Sequence, residues 1–122
     1  MVKIIILNER DIKIINEIQH WRFLLSRQIK VLGGFNGQRA CDRRIKKLIE
    51  AGYIERKYII HGVPRLYFIT SKAVKLLDLE YRTANIRIEQ IAHDIAVIDT
   101  AIFLITKENV DSASIITERD LK

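Results

Sequence analysis

Hydrophobic positions along this chain recur with helical spacing, interrupted once by two short segments that read as strands. Ile14, Ile15, Ile18 and Trp21 fall at i, i+1, i+4 and i+7, one apolar face of a helix running to about His20 or Trp21. Asn8 is a good N-cap for it, Asp11 makes a shortened capping box, and Leu7 and Ile12 are spaced for a hydrophobic staple. Phe23 and Leu24 then form a short extended piece. Ser26 is expected to cap a brief second helix carrying Ile29 and Leu32, which Gly33-Gly34 ends. A third helix is expected from about Gly37 to Ala51, capped by Asn36, with Gly52 where a left-handed residue is wanted.

The third helix is two-sided. At 100° per residue Cys41, Ile45, Leu48 and Ile49 share one side, while Arg39, Arg43 and Lys47 line the opposite side with Lys46 beside them. Beyond it, Ile54 to Ile60 and Arg65 to Ile69 are rich in Ile and Tyr, and the four-residue turn His61-Gly62-Val63-Pro64 joins them into a hairpin. Thr70 or Ser71 caps a fourth helix that stops near Leu79, and residues 80–85 read as a connector. The last long helix, about Arg87 to Lys107, carries isoleucine at 88, 91, 95, 98, 102 and 105, the spacing of heptad a and d positions. Such a seam packs against another helix of the same domain or against a partner subunit. A short strand is possible at Ser114 to Ile116.

Helix, short strand, helix, tight turn, helix and hairpin is the order of a winged helix-turn-helix domain. The expected fold is therefore mainly α with a small β-hairpin: a winged helix-turn-helix DNA-binding domain over residues 1–80, then a long C-terminal helix and tail over residues 81–122 used for packing or dimerisation. In such a motif the second helix enters the major groove and its N-terminal residues touch base edges. Asn36, Gln38, Arg39 and Arg43 carry the side-chain chemistry for that contact, and Lys46 and Lys47 suit phosphates. Ser26 and Arg27 would add a phosphate contact at the start of the second helix. On or near the wing, Arg56, Lys57, His61 and Arg65 would reach the flanking backbone or minor groove. An Arg/Lys stripe opposite an apolar stripe is also what any solvated helix shows, and Asp42 to Lys46 and Lys46 to Glu50 are ordinary i,i+4 pairs.

Charge sharpens this picture. The 122 residues carry a formal net charge of +6, but residues 1–80 hold sixteen Lys and Arg against eight Asp and Glu, whereas residues 81–122 hold five against seven. Between residues 27 and 75 twelve basic side chains face only Asp42, Glu50 and Glu55, the electrostatic footprint of a surface that meets phosphate. At 48% hydrophobic residues the chain buries a real core and is not disordered. Its longest apolar runs, Ile4 to Leu7 and Ala101 to Ile105, are far below the ~20 residues of a membrane span, and the N-terminus lacks the features of a signal peptide. A cytoplasmic location is expected.

Enzymatic signals are absent from the sequence. His20, His61 and His93 are scattered without metal-ligand spacing, and no G-x-x-x-x-G-K-[ST] loop occurs. The single cysteine, Cys41, excludes an internal disulfide and reads as an inert core residue. His93 and Asp94 are adjacent on a helix and do not face each other, while Asp94 and Asp99 at the seam's edges would set register or partner choice. No catalytic residue, metal, cofactor or small-molecule substrate is expected. The expected partners are double-stranded DNA and a second copy of the chain, joined through Ile88, Ile91, Ile95, Ile98, Ile102 and Ile105.

The chain resembles the replication-relaxation family, winged-helix proteins associated with plasmid replication and mobilisation. The resemblance runs through Leu7-Asn8-Glu9-Arg10-Asp11, Arg44-Ile45-Lys46-Lys47-Leu48-Ile49-Glu50-Ala51-Gly52-Tyr53-Ile54, Leu66-Tyr67-Phe68-Ile69-Thr70, His93-Asp94-Ile95-Ala96-Val97 and Thr117-Glu118-Arg119-Asp120-Leu121. It covers about residues 7 to 121. The middle stretch is common to many winged-helix regulators; the His-Asp helix and terminal segment are more particular to this family. Members commonly continue into a further C-terminal region, so this chain reads either as a short version or as a domain of a longer protein. The resemblance implies a role in plasmid DNA maintenance or its transcription. Two other readings stand beside it: a winged-helix protein-interaction module without DNA readout, and the targeting domain of a longer nuclease or relaxase.

Overall fold

The computed structural model describes residues 5–59, 61–78 and 87–108. Helices α1 (Glu9–Trp21), α2 (Ser26–Leu32) and α3 (Gln38–Glu50) are followed by strands β1 (Ile54–Lys57) and β2 (Leu66–Ile69) and helix α4 (Ser71–Leu76). A 3-10 turn (Ile88–Gln90) then leads into α5 (Ile91–Glu108). The architecture is a winged-helix arrangement, mainly helical with one two-stranded antiparallel hairpin. The chain divides into two compact units, Met1–Ala84 and Asn85–Lys122.

Local chemistry accounts for the start of the first unit. Asn8 accepts the Asp11 N–H (2.8 Å) and Asp11 accepts the Asn8 N–H (2.9 Å), the reciprocal pair that satisfies two helix-terminal donors. From α1, Ile14, Ile15 and Ile18 are fully covered, as are Phe23, Leu24 and Leu25 after it. Leu24 exchanges both backbone hydrogen bonds with Tyr67 (3.2 and 2.9 Å), so the extended piece expected at residues 23 and 24 borders β2. Cys41, Ile45 and Leu48 of α3 add the third wall of the core, with Ile54 and Leu66 closing it from the hairpin.

Several boundaries differ from expectation. Ser26 does not cap α2; Leu25 holds that position, and the buried Gln28 side chain accepts the Leu25 N–H at 2.9 Å. Asn36 does not cap α3 either, since Gly37 is the extended residue before Gln38 and makes no side-chain cap. The end of α3 is as expected. Gly52 takes φ +87, its N–H reaches Ile49 O, and Tyr53 N–H reaches Leu48 O, each at 3.0 Å, forming a Schellman motif that needs a residue tolerant of positive φ.

The hairpin pairs Ile54 with Ile69 through Lys57 with Leu66, so β1 ends at Lys57 and β2 begins at Leu66, both strands shorter than the expected Ile54 to Ile60 and Arg65 to Ile69. Continuing the register would set Ile59 against Pro64, and proline has no N–H for the ladder. Thr70 caps α4, accepting the Ala73 N–H at 3.3 Å and donating to Gly52 O at 2.6 Å. α4 ends at Leu76 with Leu77 as its C-cap, short of the expected stop near Leu79, while the connector up to Asn85, Ile60 and the strand at Ser114 to Ile116 lie outside the described residues.

In the second unit the expected helix from Arg87 begins instead with the 3-10 turn, and α5 starts at Ile91. Its isoleucine seam is not one free surface. Ile91 and Ile98 are buried within the single chain, Ile95, Ile102 and Ile105 are half-buried, and Ile88, on the 3-10 turn, is 60% exposed. The apolar side chains that α5 leaves exposed are Val97, Phe103 and Leu104. Among the described residues no helix is long and apolar enough to cross a membrane.

Candidate nucleic-acid interface

The two faces that periodicity assigns to α3 are realised. Cys41, Ile45 and Leu48 are buried, whereas Arg39, Arg43, Lys46 and Lys47 are all exposed on the opposite side. Burial of the first set orients the second, so four cations project from one helix surface within about two and a half turns.

Three side-chain contacts fix that helix. Arg44, between the two faces, donates from Nε to Asp11 Oδ1 at 2.8 Å, pairs through Nη2 with Asp11 Oδ2, and reaches Ile6 O at 3.4 Å. The hydrogen bond to Asp11 raises the guanidinium pKa above its ordinary value, so Arg44 is charged wherever the protein is folded. Gln38 Nε2 donates to Ser26 Oγ and to Asp42 Oδ1, both at 2.9 Å. Cys41 Sγ approaches Ser26 O at 3.7 Å, and burial, with Asp42 nearby, pushes the thiol up to about 12.

These contacts change two of the expected roles. A bidentate pair with adenine needs a side-chain amide donor, and both N–H groups of Gln38 are used in bracing α3 against α2 and Asp42. In this structure the Gln38 amide links the start of α3 to Ser26 of α2 and to Asp42. Ser26 likewise serves α2–α3 docking through its hydroxyl, rather than capping α2. Asn36 is exposed ahead of α3.

Beside α3 the wing adds further cations. Arg56, Lys57, His61 and Arg65 are exposed. Lys57 shares its charge with Glu55 (3.4 Å) and lies 5.3 Å from the centre of the Phe68 ring. Tyr53 and Tyr67 pack into the domain as hairpin tyrosines usually do, and Tyr58 stands exposed on the wing connection. Between the wing and the starts of α2 and α3 lies a groove of about 400 Å³, lined by Leu25, Arg27, Gln38, Pro64, Arg65 and Tyr67. Residues far apart in sequence thus meet at one place next to the cationic face.

Three supports had no local signal in the sequence. Asp11 and Arg44 are 33 positions apart. Arg10 lies 4.4 Å over the Phe35 ring and reaches Gly34 O at 3.5 Å, tying the α2–α3 turn to the start of α1. Lys72 donates to Ala51 O at 2.6 Å and lies over the Tyr53 ring, holding the end of α3. Among the described residues no group of His, Cys, Asp and Glu has the arrangement of a metal site. His93 is exposed on α5.

Comparison with protein-family models, with curated proteins and with solved structures finds no match to this chain.

Proposed function

We propose that this chain is a double-stranded-DNA-binding winged-helix protein that places α3 in the major groove and acts by binding rather than by catalysis. The observation that carries the reading is the exposed set Arg39, Arg43, Lys46 and Lys47 on a helix whose opposite face is core. B-DNA's major groove admits a helix, arginine pairs with guanine O6 and N7, and lysines farther along meet phosphates. Arg39 and Arg43 are the base readers of this account, Lys46 and Lys47 the backbone contacts, and Arg56, Lys57, His61 and Arg65 the flanking ones. The resemblance to replication-relaxation proteins extends the proposal to the control of plasmid replication or transcription in the cytoplasm.

Paired binding by a homodimer would set two α3 helices on half-sites about 34 Å apart or a multiple of it. With Ile91 and Ile98 already buried in one chain, such a dimer would not use the isoleucine seam as a whole. Two single variants test the DNA reading. Arg43→Ala should cost roughly 1–3 kcal/mol of binding and relax sequence preference. Lys47→Ala should weaken binding to all duplexes alike and reduce the salt slope by about one. Unchanged binding in both variants would remove α3 from the interface.

A further inference from the structure

One exposed residue of α3 runs against the charge of its surroundings. Asp42 is an exposed carboxylate on the helix that carries Arg39, Arg43, Lys46 and Lys47. Helix positions three and four apart are neighbours, which sets Asp42 between Arg39, three residues before it, and Lys46, four residues after it. That spacing predicts an ion pair on either side, yet among the described residues Asp42 takes part in none. Its contact is with Gln38, whose Nε2 donates to Asp42 Oδ1 and to Ser26 Oγ, both at 2.9 Å. One oxygen thus holds the carboxylate at the N-terminal half of α3, and acceptor capacity is left over for a donor from outside.

A negative charge on a surface that meets phosphate lowers the affinity for every duplex, because like charges brought together repel. What such a group offers is discrimination between sequences. In the major groove a carboxylate accepts from the cytosine N4 amine. Guanine O6 and N7 and thymine O4 are acceptors that repel it, and adenine sets its N7 acceptor beside its own amine. We propose that Asp42 reads a cytosine through the N4 amine, next to the bases met by Arg39 and Arg43, and so makes a basic helix selective. The inference rests on the DNA-binding reading above. Gln38 holds the carboxylate but supplies none of its acceptors, so the choice of base belongs to Asp42.

Selection from a random pool of duplexes, with the full chain and with Asp42→Asn, tests this. The selected wild-type motif and a scrambled duplex of equal composition are then titrated with both proteins. Asparagine keeps an oxygen for the Gln38 amide and turns the rest of the group from acceptor to donor; the side chain is exposed, so the variant should melt with the wild type. The wild-type motif should hold a cytosine at one position, and the variant should lose that preference while keeping the rest of the motif. The ratio of motif to scrambled affinity should fall about tenfold, the worth of one hydrogen bond to a charged group. A carboxylate that is only a solvated charge would leave the motif unaltered, with both affinities rising by the same factor and their ratio constant. That result would overturn the proposal, as would a base other than cytosine at the affected position. Retention of DNA by the wild type without any enriched motif would overturn it too, and leave α3 as a helix that binds the DNA backbone. No retention at all would refute the DNA reading together with the proposal.

Discussion

Removing either half of the Asp11–Arg44 pair tests whether α3 is held in place as described. The Asp11 carboxylate is 0% exposed, accepts the Asn8 N–H and two guanidinium contacts, and so has its oxygens satisfied only while Arg44 is present. Arg44→Ala strands that charge. Breaking a buried pair in this way costs roughly 3–5 kcal/mol. The lower end applies here, because the Arg44 side chain keeps 22% exposure and water can replace part of what is lost. Asp11→Ala removes the pair and the capping box together, adding about 1 kcal/mol for the cap while leaving Arg44 free to turn to solvent. The double variant strands no charge and should therefore be more stable than the sum of the singles predicts, by roughly 1–3 kcal/mol. Against a total stability of about 5–15 kcal/mol these are large effects, visible in urea denaturation followed by the fluorescence of Trp21. Single variants within about 0.5 kcal/mol of wild type, or strictly additive effects, would refute the pin, because neighbouring sites in one network do not add. The raised Arg44 pKa puts the sign of its own contribution at the alkaline end: that contribution is unchanged across physiological pH and is lost only as pH rises through the arginine range.

Other expectations follow from single contacts. Gln38→Ala should destabilise the fold by about 1–2 kcal/mol through two lost hydrogen bonds, yet leave the preferred DNA sequence unchanged; a changed sequence preference in a selection experiment would return Gln38 to the base readers. Gly52→Ala should cost roughly 1–2 kcal/mol by forcing a side chain to φ +87, and a melting temperature equal to wild type would contradict the Schellman end of α3. Cys41, with its folded-state pKa raised from 9.0 to about 12, should resist thiol reagents at pH 8 until the protein unfolds. Since the folded state holds this proton more tightly, the thiol's contribution is full below about pH 9 and lost between there and about 12; Cys41→Ala should soften the alkaline fall in stability, and an identical fall would refute it.

What was legible in the sequence was what neighbouring residues decide. The Asn8/Asp11 box, the two faces of α3 and the glycine that ends it are all local, and all are present. Cap positions one residue out, Gly37 for Asn36 and Leu25 for Ser26, show where tertiary packing selects among equivalent starts. In α2 the buried Gln28 reaches back to the Leu25 N–H, a role open to any polar residue at that offset. Periodicity found the isoleucines of α5 but not their cover: spacing says that a face is apolar, not whether the chain itself already buries it. The candidate site divides in the same way. Arg39, Arg43, Lys46 and Lys47 could be named from one helix, whereas the groove between Arg27 and Arg65 and the Asp11–Arg44 pin exist only once distant segments meet.

The central claim, that α3 reads duplex DNA, is tested most directly by exposing the purified chain to a random pool of duplexes at 50 and 200 mM salt and sequencing what is retained. Four exposed cations on α3 and more on the wing predict retention at low salt that falls steeply at the higher concentration, with a log–log slope of about −0.9 for each phosphate neutralised. An enriched motif is also expected, relaxed at one position by Arg43→Ala. Absence of retention at both concentrations would contradict the account.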